Sequence, residues 1–263
     1  MPIELTLIEP GVACITISNP ARRNALDLDM FEALARTWPV VEADPSICVV
    51  LLRGEGRAFC AGAALEANID RLEHVDDLID RALLKTSFFS KPIVAAINGG
   101  CVAGGLELCL AADIRIAAMD AAIGFPEVHW GIVPSGGGAM KLIDQIGFAK
   151  AMDLLLTGRL ISGMEAEGIG LVSEACVAES VWQRALDRAR TIAANSPRVV
   201  SATKRAALYR RSQVYQSLED VERELVAAVR RSGDPEIGKA AFLAKKVPVF
   251  NSLGGSVVKS RNA

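Results

Sequence analysis

Histidine is almost absent from this chain: its 263 residues include only His74 and His129. Nucleophilic chemistry that depends on a histidine base is therefore poorly supplied. No serine sits in a G-x-S-x-G elbow either, so a Ser-His-Asp hydrolase is not expected. Paired cysteines are also missing. Cys14, Cys48, Cys60, Cys101, Cys109 and Cys176 form no C-x-x-C motif and most lie in apolar runs, which points to buried free thiols rather than disulfides or a metal site. No large excess of one charge exists. The net charge of −2 argues against a general nucleic-acid binder, which would be strongly basic. No uninterrupted apolar run reaches membrane-spanning length, and Met1-Pro2-Ile3-Glu4-Leu5 has no signal-like character. A cytoplasmic protein without a membrane partner is therefore expected. Two nucleotide codes are missing as well. Gly54-Glu55-Gly56 lacks the third glycine of a dinucleotide fingerprint, and Gly136-Gly137-Gly138 lacks Walker spacing.

What is present is a globular composition, 51% hydrophobic, with enough apolar residues for a large core. Alternation at Ile3, Leu5 and Leu7, a Pro10-Gly11 turn and an apolar stretch over 12–17 predict a hairpin. Residues 27–43 have helical spacing, 47–52 read as a buried strand, 54–68 as a loop and 75–89 as a helix. Strands are expected at 92–97, 114–118, 121–125 and 171–177, with a helix from about Gly104 and another from Pro134-Ser135 to Ile146. Ser162 and Glu165 fit a capping box. From Ser180 onward the pattern is helical, with breaks expected at 195–197, at Ser212 and at 233–235. Strand–helix alternation followed by helices predicts a layered α/β core over 1–197 and a C-terminal helical region over 198–263.

That helical region is basic. From Arg198 onward there are 13 Lys and Arg against 6 Asp and Glu, whereas the residues before it carry 16 against 25. Solvated helix faces are one explanation, and a basic surface offered to an anionic ligand or an acidic partner surface is the other.

Two small-residue segments each follow a predicted buried strand: residues 57–64, with Ala61-Gly62-Ala63-Ala64, and residues 98–105, with Gly104-Gly105. Small side chains at such a junction let a ligand approach the backbone, and helix-start amides lack internal partners. Two such amides aimed at one point can hold a developing oxyanion. Simple turns and tight packing explain the glycines equally well. Glu107 stands out because the helix 104–112 is otherwise apolar. A carboxylate there must be paired, hydrogen-bonded or protonated, and burial alone raises its pKa towards the range useful for proton transfer. The competing explanation is a structural pairing with Arg115. Glu127, after Gly124-Phe125-Pro126, is a second carboxylate available to work with Glu107 as base and acid around one water. His74 reads as a surface or cap residue, and His129 as one that could reach the same pocket.

At these segments the sequence resembles the enoyl-CoA hydratase/isomerase, or crotonase, superfamily. The resemblance runs from residues 19–26 (Asn-Pro-Ala-Arg-Arg-Asn-Ala-Leu) through 59–63, 92–99 and 103–108. It continues through Phe125-Pro126-Glu127, 131–138, 157–159 and 166–172 to Ala241-Phe242-Leu243. It implies a spiral β/β/α core with a C-terminal helical region that builds trimers, often paired into hexamers. It also implies an acyl-CoA substrate, with coenzyme A entering as part of that substrate and with no prosthetic group or metal. Ala61 and Gly104 occupy the family's oxyanion-hole positions. Glu107 would activate water for attack on the β-carbon, and Glu127 would deliver the α-proton. Arg23, Ala25, Ala61, Gly62, Ala63, Ala64 and Leu65 are expected along the coenzyme A moiety, with Lys245 as a C-terminal contact. Two departures stand out. Ala64 replaces the family's common Asp before Leu65-Glu66-Ala67-Asn68, and His129-Trp130 adds bulk near the acyl pocket. The activity this implies is hydration of a 2-enoyl-CoA. Other reactions of the fold (isomerisation, decarboxylation, thioester hydrolysis) and a non-catalytic scaffold are the alternatives.

Overall fold

The computed structural model describes residues 2–65 and 74–250. The hairpin forms as expected: β1 (Ile3–Glu9) pairs antiparallel with β2 (Gly11–Ile17). The chain then adds parallel strands β3 (Ile47–Gly54), β5 (Ile93–Ile97), β7 (Ile114–Ala118) and β9 (Glu174–Cys176), in the order β1-β2-β3-β5-β7-β9. Every residue of β5 is buried, as befits a parallel strand covered on both faces. The helix α1 (Leu28–Ala43) buries Met30, Leu34, Trp38 and Val41 at three- and four-residue spacing. Its N-cap, Asp27, accepts the Met30 amide at 3.0 Å.

A second, parallel sheet of three very short strands lies behind the first: β4 (Ala58–Cys60), β6 (Gly100–Val102) and β8 (Ile123–Gly124). Each follows a strand of the large sheet. The chain therefore repeats strand, short strand, helix. β3 and β4 lead towards α2 (Val75–Leu83), β5 and β6 lead into α3 (Gly104–Cys109), and β7 and β8 lead towards α4 (Gly138–Ile146). This is the spiral β/β/α core that the resemblance implied. After it come α5 (Phe148–Thr157), α6 (Gly163–Gly168), α7 (Ala178–Ala193), α8 (Pro197–Ser232) and α9 (Asp234–Leu243).

Several boundaries differ from expectation for identifiable reasons. The helix expected over 75–89 stops at Leu83 because Leu84 turns left-handed (φ 50°). Asp80 then accepts the Thr86 amide and hydroxyl at 3.0 and 2.6 Å, rounding off the last turn. Phe89 leaves the helix to meet Trp38 edge-on, with ring centroids 5.2 Å apart. The strand expected over 171–177 is confined to β9. The Leu171 amide is taken by the Ala166 carbonyl at 2.8 Å, closing α6. α6 itself opens on half a capping box. Ser162 accepts the Glu165 amide at 3.1 Å, but the Glu165 carboxylate turns to Arg159. No break occurs at Ser212, since one serine costs a long helix only a few tenths of a kcal/mol. α8 runs 36 residues until Gly233 at φ 87°.

The basic C-terminal helices meet the acidic core directly. Arg230 clasps Asp76 with two hydrogen bonds at 2.8 and 3.2 Å, and Arg223 reaches Asp77 at 2.8 Å. Lys204 meets Asp113 at 2.7 Å, and Arg211 meets Asp144 at 2.6 Å. Much of the charge asymmetry is thus answered within the molecule. α9 packs on the 3-10 helix Pro126–Trp130. There Gly238 lies so close that an alanine Cβ would stand 1.9 Å from the Trp130 carbonyl oxygen. Gly238→Ala should therefore cost stability, about 1–3 kcal/mol, although alanine ordinarily favours a helix. A lowered melting temperature checks this. No described helix is long and apolar enough to cross a membrane.

Candidate active site

The short helix α3 is buried along its whole length and carries Glu107 inward, 4% exposed. Its Oε1 accepts the amides of Gly136 and Gly138 at 2.7 and 3.0 Å. Those bonds explain a further departure from expectation. The helix expected from Pro134 begins only at Gly138, because the turn before it bends through Gly137 (φ 89°) to present both amides to the carboxylate. The pairing with Arg115 does not occur. Arg115 donates to the carbonyls of Leu171, Cys109 and Ala112 at 2.7, 3.1 and 2.9 Å. Glu107 is therefore a buried carboxyl held by amides. Burial raises its pKa to about 7, against the opposing pull of the two glycine amides.

Glu127 sits in the 3-10 helix Pro126–Trp130, which Pro126 opens. It is 7% exposed, and its Oε2 has no hydrogen-bond partner among the described residues. Burial first, and then the like charge of Glu107, raise its pKa well above the usual carboxylate range. Both glutamates face one cavity of about 850 Å³. One carboxyl thus has two amide donors from a neighbouring turn to support an anion, whereas the other has only a backbone hydrogen bond within its own residue to offset burial. Two carboxyls held so differently on one cavity suit a base and an acid sharing one water.

The backbone corrects one expectation. The Ala61 amide donates to the Arg23 carbonyl at 3.0 Å, so it cannot serve an incoming oxygen as well. Gly62 turns the chain through φ 85°, and the Ala64 amide again faces inward, to the Leu26 carbonyl at 2.8 Å. Between them the Ala63 amide points the other way and meets no acceptor among the described residues. It lies beside Gly104: a Cβ built on Gly104 would stand 3.6 Å from the Ala63 nitrogen. Glycine is required at 62 on a second count, since a Cβ there would approach Ala103 Cβ to 2.7 Å.

Of the remaining expected contacts, Arg23, Ala25, Ala61, Ala63, Ala64 and Leu65 line the cavity. Gly62 does not line it, and neither does Lys245, which lies exposed beyond α9. Glu66, Ala67 and Asn68 lie outside the described residues. Arg22, Arg230 and Lys239 are basic residues of the lining that sequence reasoning missed. Two come from α8 and α9, and no local motif announces that these helices return to the site. His129 does not reach the cavity. Its Nε2 lies 2.8 Å from the Thr157 carbonyl, and the ring packs against Gly158. Its neighbour Trp130 lines the cavity instead, edge-on to Phe242 with ring centroids 5.1 Å apart. His74 occupies the α2 N-cap position with left-handed backbone. The six cysteines are free thiols. Cys101 and Cys109 lie 3.6 Å apart, sulfur to sulfur, beneath the site. No cluster of three or more metal-ligating side chains occurs among the described residues.

Residues 8–253 match the family described as Enoyl-CoA hydratase/isomerase. The chain is 34% identical over 246 residues to Enoyl-CoA hydratase EchA19 of Mycobacterium tuberculosis, covering 90% of this chain and 92% of that relative. It is 32% identical over 241 residues to 2,3-dehydroadipyl-CoA hydratase of Escherichia coli, covering 91% and 94%. Its fold superposes on the crystal structure of carnitinyl-CoA hydratase from Mycobacterium avium with a TM-score of 0.87 at 30% identity, over 95% of this chain and 98% of that one.

Proposed function

The chain belongs to the enoyl-CoA hydratase/isomerase family, and within it we propose that this protein is a hydratase, adding water reversibly across the double bond of a 2-enoyl-CoA. The observation that carries this reading is the unequal hydrogen bonding of two buried carboxyls on one cavity: Glu107 accepts two amides, whereas Glu127 Oε2 has no partner among the described residues. Glu107, with two amides to hold its charge and a pKa about 7, is available as a base at neutral pH. Burial and the neighbouring Glu107 both favour the protonated form of Glu127, which suits it to give a proton.

The chemistry then assigns each group a step. The thioester carbonyl oxygen lies between the amides of Ala63 and Gly104, which take up the negative charge as the carbonyl becomes an enolate. Glu107 withdraws a proton from water while the water oxygen bonds to the β-carbon. The enolate collapses as its α-carbon takes the proton of Glu127, so one water is consumed and each carboxyl has exchanged its protonation state. Proton transfer through the shared product hydroxyl or solvent resets the pair. Arg22 and Arg23 at the cavity wall suit the phosphates of coenzyme A, while Ile79, Leu83, Trp130 and Phe242 offer an apolar surface to the acyl chain.

A trimeric assembly is part of this reading. Val214, Leu218, Val221 and Leu225 are exposed at alternating four- and three-residue spacing, which sets them as one apolar stripe along α8. The function is tested with short, medium, branched and aromatic 2-enoyl-CoA esters. Hydration removes the conjugated enoyl-thioester absorbance, whereas transfer of a double bond out of conjugation also removes it but yields no hydroxyacyl product by mass. The account predicts a product heavier by one water.

A further inference from the structure

Behind the turn that clamps Glu107 lie two lysines that the proposed chemistry does not use. Lys141, on the first turn of α4, is 4% exposed, and Lys85, just past α2, is 3% exposed by side chain. Both pack under the same glycine. A Cβ on Gly137 would stand 3.1 Å from Lys85 Cγ and 3.5 Å from Lys141 Cε. Glu107 touches the same turn from the other side, where a Cβ on Gly136 would come within 2.6 Å of its Oε2.

The two lysines are held differently. Lys85 is ion-paired to Glu219 at 2.8 Å and to Glu222, both on α8. Lys141 donates to the Leu84 carbonyl at 2.7 Å and has no carboxylate within ion-pairing distance among the described residues. A buried ammonium with one carbonyl partner is costly, and an apolar side chain would fill that space more cheaply. The cost falls if a nearby anion shares the low-dielectric interior. Glu107 is the foremost charge favouring the protonated form of Lys141, and Lys141 in turn favours the ionised form of Glu107. Lys141 does not line the reaction cavity, so it touches no substrate.

We propose that Lys141 is a positioning residue for Glu107: its buried ammonium ties α4 to the end of α2, fixes the Gly136–Gly138 turn whose amides clamp the carboxylate, and supplies across that turn the positive charge that favours the ionised base. The inference rests on the reading of Glu107 as the base. The charged groups facing Glu107 are Glu127 across the cavity, Lys141 behind the turn and Glu222 on α8, while Lys85 and Glu222 also face Lys141. Asp80 on α2 faces Lys141, and Glu219 faces Lys85.

The test follows the Glu107 carboxyl by infrared difference spectroscopy as pH is varied, with its band assigned by loss in Glu107→Gln. Lys141→Gln keeps a donor for the Leu84 carbonyl but removes the charge. It should raise the titration midpoint by about one pH unit and move the acid limb of kcat upward with it, leaving KM within about twofold. Lys141→Arg should restore the midpoint. Glu222→Gln, which removes a negative charge that opposes ionisation, should lower it. A midpoint unmoved in Lys141→Gln, with only thermal stability reduced, would show a merely structural lysine and overturn the proposal. If Lys141→Gln does not fold, Lys141→Met, which fills the buried space without a charge, replaces it, and an unshifted midpoint there overturns the proposal. Because the infrared titration needs no turnover, a protein that hydrates no enoyl-CoA would refute the hydratase reading while the link between Lys141 and the carboxyl is still measured.

Discussion

Glu107→Gln is expected to lower kcat for hydration by roughly 10²–10⁴ while making the protein more resistant to heat at pH 8. The two effects have one cause. Glu107 is ionised in a place that disfavours charge, which is what makes it a base near neutrality. Glutamine keeps the shape and an oxygen for the amides of Gly136 and Gly138, but it can neither take a proton nor carry a charge. The sign follows from linkage. The carboxyl's pKa is raised on folding from an ordinary value of 4.5 to about 7, so the folded state binds the proton more tightly than the unfolded one. Stability is then lost progressively as pH rises from about 4.5 to about 7, and the loss is complete above that. The shift corresponds to a penalty on the order of 3 kcal/mol, which the glutamine variant escapes at pH 8 and never incurs at pH 4. Melting curves at the two pH values check it: the variant should melt higher than the parent at pH 8, and the difference should vanish at pH 4. Glu127→Gln should cost activity to a similar extent for a different reason, since its amide has no proton acidic enough to deliver to carbon.

Gly104→Ala should lower kcat by roughly 10²–10³ with no loss of fold. Few catalytic positions separate the two so cleanly. A Cβ on Gly104 would lie 3.6 Å from the Ala63 nitrogen, 3.7 Å from Gly62 Cα and 3.9 Å from Glu107 Oε2. These are ordinary contacts, so nothing must move. The methyl nevertheless occupies the space between the two amides assigned to the thioester oxygen and faces the carboxylate as well. Alanine also favours a helix over glycine by about 1 kcal/mol, so the melting temperature should hold or rise. A variant that keeps full kcat would remove Gly104 and Ala63 from the oxyanion site. The contrast with Gly105 is useful: a Cβ there would stand 2.6 Å from the Cys60 carbonyl oxygen, and an alanine would disturb packing rather than chemistry.

The long-period features of the fold were legible in the chain. The hairpin, α1 and the buried parallel strands all follow from patterns sustained over several residues. β4, β6 and β8 are two or three residues long, too short for any periodicity to register. Glu107 was conspicuous because a lone carboxylate in an apolar helix is expensive, and its partners turned out to be amides of the Gly136–Gly138 turn. The choice between Ala61 and Ala63 depends on which way a backbone amide points after Gly62 turns left-handed, and side-chain identities say nothing of that. Arg230, Lys239 and Phe242 come to the cavity from the far end of the chain through the packing of α8 and α9, a tertiary outcome with no local signal.

The central claim is that two buried glutamates on one cavity hydrate a conjugated acyl thioester. The most direct measurement follows the enoyl-thioester absorbance of a panel of 2-enoyl-CoA esters on addition of the purified protein, alongside Glu107→Gln and Glu127→Gln. The account predicts that the absorbance of at least one ester falls with turnover, that the product has gained one water, and that each variant slows this by orders of magnitude. Absorbance that holds steady for every ester, or hydration that proceeds at the parent's rate in either variant, would contradict it.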